Sequence, residues 1–157
     1  MKFFCATLLS TVLATACVAN PMPRQVGCSE ADRFGVMQVV PSDLVPGSSY
    51  TLHTDFECGI SKGYTPKYLD YYLEVPAAVN NGHQAPILID RREFIPPSTS
   101  NPGAALTFTA QIPKWDGFVK NFSNYVITIH NHYIRNTTDG QEIYLVGGTQ
   151  LPINLTT

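Results

Sequence analysis

The chain has 157 residues, with 10 Lys and Arg against 12 Asp and Glu, and only 14% of its residues are charged. That is length for one domain with a real core. The absence of any basic run or stripe excludes a nucleic-acid-binding footprint and electrostatic capture by an anionic membrane.

The first nineteen residues, "MKFFCATLLSTVLATACVA", place Lys2 before an apolar run from Phe3 to Val18 that ends in small residues. This is the three-part pattern of a secretory signal peptide, with cleavage expected after Ala19. The run is short for a membrane span, which needs about twenty residues. "LATAC" also resembles a bacterial lipoprotein signal, but it lacks the usual Leu three places before the Cys. Residues 20–33 then read as a Pro-containing leader and 34–157 as a single domain. Loss of Lys2 leaves nine basic residues against 12 acidic ones, a mature net charge of about −3. The C-terminal "LPINLTT" lacks the apolar tail of a GPI signal. The expected product is soluble, extracellular and monomeric.

Cys5 and Cys17 leave with the signal, so Cys28 and Cys58 have only each other for an intramolecular bond in an oxidising compartment. That bond closes a loop of about thirty residues and stabilises by roughly 3–4 kcal/mol on the chain-entropy model. Three sequons, at Asn121, Asn136 and Asn154, are acceptors for N-linked glycan, and Asn136 falls in an evident turn.

From Gly35 onward the apolar residues recur with period two. "GVMQVVP" is a first strand, and "PSDLVPGSS" is a turn punctuated by Pro46-Gly47. In "SYTLHTDFEC", Tyr50, Leu52, Thr54, Phe56 and Cys58 share one face of a half-buried strand. "YLDYYLEVP" sets Leu69, Tyr71, Leu73 and Val75 inward and Tyr68, Asp70, Tyr72 and Glu74 outward. "ILIDRREF" follows a polar loop, and its Arg91-Arg92 pair, set within a strand, is not an accessible processing site. "ALTFTAQIP" alternates again. "YVITIHNHY" turns Tyr125, Ile127 and Ile129 to one face and Val126, Thr128, His130 and His132 to the other. "EIYLVGG" and "LPINL" end the chain, and no stretch has helical periodicity. About seven such strands predict an all-β, two-sheet antiparallel sandwich, immunoglobulin-like in architecture. Tyr125 suits a tyrosine-corner role at the start of a late strand. Cys28 precedes the first strand and Trp115 lies in a loop, which departs from the antibody pattern.

The run "GCSEADRFGVMQVVPSDLVPGSSYTLHTDFEC", with "TPKYLDYYLEVP" and "NNGHQAPILIDRREF", resembles a family of small secreted proteins of mushroom-forming fungi. "LDYYLEVP" and the "NNGH" loop carry the likeness most specifically; it spans most of the mature chain and weakens after Thr109. The resemblance implies secretion and a β-sandwich. That family has no established activity, so it brings no catalytic residues.

The chain has no GxSxG elbow and no HExxH, its carboxylates are scattered, and Gly147-Gly148 is an isolated pair rather than a phosphate cradle. Enzymatic activity is therefore not the favoured reading, and no cofactor is expected. Two features could still carry chemistry. His130 and His132, two apart on a strand, project to one side and could chelate zinc or copper. If the Leu69–Val75 strand lies alongside, Asp70 or Glu74 could supply a third ligand. The same face, with Tyr68, Asp70, Tyr72, Glu74 and Thr128, also has the aromatic and polar character of sugar-binding surfaces. Trp115 is a separate sugar platform or a plug at an interface. Tyr is, however, common on outward strand faces simply because it pairs well across strands. The sequence thus points to an extracellular, non-enzymatic binding or structural module that contacts cell-wall polysaccharide or a partner protein. A small metal-binding protein built on His130 and His132 is the alternative.

Overall fold

The computed structural model describes residues 28–80, 82, 84–98, 103–118 and 124–156. The expected signal segment, most of the leader and the Asn121 sequon lie outside the described residues. Two sheets pack face to face. Strands β1 (Val36–Val40), β3 (Ser49–Asp55) and β6 (Ala105–Gln111) form one in the order β1-β3-β6. Strands β2 (Asp43–Leu44), β4 (Pro66–Glu74), β5 (Ile87–Glu93), β7 (Asn124–Asn136) and β8 (Glu142–Leu155) form the other in the order β2-β8-β7-β4-β5. All pairings are antiparallel except β2 with β8. The expected all-β sandwich is present, and β4 and β7 are neighbours.

Four local readings need correction. "PSDL" is more than a turn: after the cis Val40–Pro41 peptide, Asp43 and Leu44 join the edge of the larger sheet. "EIYLVGG" and "LPINL" are one unbroken strand, because every residue from Glu142 to Asn154 has a partner on β7. Two short helices interrupt the strands, α1 (Glu57–Ser61) and α2 (Ala77–Asn80). Consequently Cys58 is not on a strand. Asp55 Oδ1 accepts the Glu57 N–H at 2.8 Å and turns the chain into α1. Cys58 then reaches Cys28, with Cα atoms 5.4 Å apart.

The alternation seen in the sequence builds the core. Tyr50 and Leu52 of β3, with Phe56 just beyond it, meet Leu69, Tyr71 and Leu73 of β4 and Ile127 and Ile129 of β7, all fully or nearly fully buried. Tyr71 ties the layers: its ring lies edge-on to Phe108 at 5.0 Å, and its hydroxyl donates to Thr54 Oγ1 at 3.2 Å. Burial pushes that hydroxyl's pKa up to about 12. At the hairpin end, Phe34 packs against Tyr64 and Tyr133, and the Arg33 guanidinium covers Phe34 at 4.5 Å. Gly147 is required there, since a Cβ would fall 2.0 Å from the Phe34 ring. At the opposite end Tyr125, also fully buried, donates to Gln84 Oε1 at 2.8 Å.

One inward residue breaks the apolar pattern. Asn131, opposite Leu69 and Gly147, is fully buried, and neither its oxygen nor its nitrogen has a hydrogen-bond partner.

Candidate functional site on the outer face of the five-stranded sheet

Register places the candidate residues in rows across the outer face. Tyr68 lies opposite His132, Asp70 opposite His130, and Tyr72 opposite Thr128. β8 extends the rows with Val146, Gly148 and Gln150 beside His132, His130 and Thr128. On the other flank β5 adds Glu93 beside Tyr68 and Arg91 beside Asp70. Residues as far apart in the chain as Tyr68 and Gln150 therefore share one surface, because β4 and β7 are adjacent central strands.

Two carboxylates on this face, those of Asp70 and Glu74, are already engaged. Asp70, only 4% exposed, accepts two hydrogen bonds from Arg91, Nε to Oδ1 at 2.6 Å and Nη2 to Oδ2 at 2.8 Å. The Arg91 hydrogen bonds hold the Asp70 carboxyl below its ordinary value against the opposing pull of burial. His132 Nε2 approaches Asp70 Oδ2 at 3.4 Å, too long for a well-formed hydrogen bond, and has no other partner. Glu74 Oε2 accepts the Thr128 hydroxyl at 3.0 Å. A ligand role for Asp70 or Glu74 beside the histidines would use oxygen lone pairs other than those that Arg91 and Thr128 occupy. Among the described residues no group of three or more His, Cys, Asp and Glu converges on a metal-sized space.

The aromatic residues divide. Tyr72 packs on His130 with ring centroids 5.0 Å apart. Tyr68 is 42% exposed and Tyr144, from β8, 58%. Lys67 bridges the two, with Nζ 3.3 Å from the Tyr144 hydroxyl and over both rings. That hydroxyl is the main reason the Lys67 ammonium is held above its ordinary pKa. Trp115 does not belong to this face. Its ring packs edge-on to Phe118, which packs on the inward Tyr125, so it covers the end of the sandwich.

Sequence reasoning missed Gly148. It faces outward opposite His130 with no side chain, and a Cβ there would lie 2.6 Å from the Ile129 carbonyl oxygen. A shallow depression of about 520 Å³ lies at this glycine, lined by Thr128, His130, Val146 and Gln150 among others. Nothing in "LVGGTQ" alone foretells this, because the role of Gly148 comes from its cross-strand partner.

No known family model and no curated protein sequence matches the chain. The sequons occupy different settings. Asn136 is the exposed last residue of β7, while the Asn154 carboxamide donates to Asp43 Oδ1 at 2.8 Å. Among the described residues no helix is long and apolar enough to cross a membrane, and the disulfide is compatible with an extracellular protein.

Proposed function

We propose that this is a secreted, non-enzymatic binding module, immunoglobulin-like in architecture, whose five-stranded outer face holds a cell-wall polysaccharide. The observation that carries the reading is the depression at Gly148. It brings hydroxyl, amide and imidazole groups together, and the half-exposed rings of Tyr68 and Tyr144 stand further along the same face. Saccharides are held by this combination, with rings stacking on aromatic faces and hydroxyls bonding to polar groups beside them. Hydrolysis is less well supported. Glycosidic cleavage needs a carboxylic acid held protonated, whereas Asp70 is pushed towards the charged form. Resemblance to secreted fungal proteins favours β-glucan and chitin as the polymers. Asn136, exposed at the start of the hairpin turn, is the sequon best placed to carry glycan.

Titration calorimetry with β-1,3-glucan and chitin oligosaccharides tests the reading. Binding that weakens by about tenfold in a Tyr68→Ala/Tyr144→Ala variant is the expected result, matching the loss of stacking. Binding unaffected by that variant, or absent for both polymers, contradicts it.

A second reading, a zinc or copper site at His130 and His132, draws on the enclosed His132 Nε2 with only Asp70 beside it. A native mass spectrum of metal-stripped protein resolves it. One ion gained by the wild type and lost in a His130→Ala/His132→Ala variant establishes the site, and no uptake removes it.

A further inference from the structure

The two edges of the five-stranded sheet differ in kind. Edge β5 carries Asp90, Arg91, Arg92 and Glu93 within seven residues. Asp90 and Arg92 sit opposite Tyr71 and Leu69 and so project inward, where they pair with each other. Charges within an edge strand, and inward ones above all, deter pairing with another chain. β8 has none of this protection. It runs for 14 residues with one charged side chain, Glu142 at its start. β2 covers it only at Asn154 and Leu155. Among the described residues no strand pairs with the other side of β8 between Glu142 and Pro152, and no residue in that span is buried.

The direction of the free backbone groups follows from one bond. The Asn154 N–H donates to the Ser42 carbonyl on the β2 side at 3.2 Å. In a strand both polar groups of a residue face the same flank and alternate along the chain. The β7–β8 register is unbroken, so Tyr144, Val146, Gly148 and Gln150 turn N–H and C=O to the open edge. Pro152 has a carbonyl but no N–H, and ends the run.

We propose that this edge pairs with the same edge of a second copy of the chain, antiparallel about a two-fold axis at Gly147, to make one continuous ten-stranded sheet. The strand is self-complementary in that register. Tyr144 falls opposite Gln150 and Val146 opposite Gly148, so each larger side chain meets a smaller one. Glu142 falls opposite Pro152, so no like charges face each other. A two-fold interface requires this matching of a surface with itself. The inference rests on backbone pairing and is independent of the polysaccharide reading. If both hold, the two depressions lie on one surface, either side of the axis.

Sedimentation of the full secreted protein over a concentration series, with amide exchange at each concentration, tests it. The mass is expected to rise from one chain to two, with slowing exchange at Tyr144, Val146, Gly148 and Gln150. Val146→Pro removes an N–H that β7 does not use and should hold the protein as a monomer. A Tyr144→Lys/Val146→Lys variant, which crowds like charges around the axis, should do the same should the proline perturb folding. Thr109→Lys, on the other sheet, should leave the dimer intact. A mass of one chain throughout the series overturns the proposal. So does a dimer that survives both β8 variants with those amides still exchanging freely.

Discussion

On the inner face of β4, Leu69, Tyr71 and Leu73 are fully buried among aliphatic and aromatic neighbours. On the outer face Asp70 is buried almost as deeply, while Tyr68, two residues away, is 42% exposed. The strand is central, so both faces have neighbours, but only the inner one has a facing sheet. The outer face is covered by its own cross-strand side chains, Arg91 and His132 at Asp70 and Thr128 at Glu74. Apolar burial is non-directional and follows from period-two patterning, whereas the outer cover depends on which polar groups meet across strands. One face makes the fold, and the other is free to specialise.

Substitutions on the two faces should separate accordingly. Tyr71→Ala has the largest expected effect, a loss of about 3–5 kcal/mol in urea unfolding, as for other large aromatic truncations in cores. The inner face also contains an exception that sharpens the contrast. Asn131 buries a carboxamide without partners, and an unsatisfied buried group costs about 1–3 kcal/mol. Asn131→Leu, with the same branched set of heavy atoms, should therefore raise the urea midpoint, and a lower midpoint would mean the amide has a stabilising role.

Asp70→Asn should cost less than Tyr71→Ala, because Arg91 is 63% exposed and solvent screens the pair. Its signature is pH dependence. The Asp70 carboxyl is depressed in the folded state, so its contribution is full above the ordinary value of 3.8 and is lost as pH falls through the lower folded value. The difference in urea midpoint between wild type and Asp70→Asn should be present at neutral pH and close in strong acid. A difference constant across that range would show that the charge is not what Arg91 stabilises. Thr128→Val, which removes one hydroxyl from Glu74, should have the smallest effect, about 0.5–1.5 kcal/mol by thermal or urea unfolding.

The fold was largely legible in the sequence. Alternation marked Tyr50 to Phe56, Leu69 to Val75 and Tyr125 to Ile129, and each set is buried as its pattern requires. It did not mark β2, whose two residues are too few to show a period, nor α1, which begins where Asp55 caps the turn. The candidate face was legible only as a list of outward residues. That Asp70 would be held by Arg91 depends on the β4–β5 register, and that Gly148 would uncover His130 depends on the β7–β8 register. Neither register is encoded near the residues concerned. The loop position of Trp115 gave no sign that Phe118 and Tyr125 would hold it at the far end of the sandwich.

Whether the outer face around Gly148 binds sugar can be read from amide NMR shift mapping of the secreted protein during titration with β-1,3-glucan and chitin oligosaccharides. Saturable shifts concentrated at Tyr68, Thr128, His130 and Tyr144 to Gln150, with the Trp115 end unchanged, are the expected result. Shifts confined to the Trp115 end, or none at saturating sugar, would contradict it.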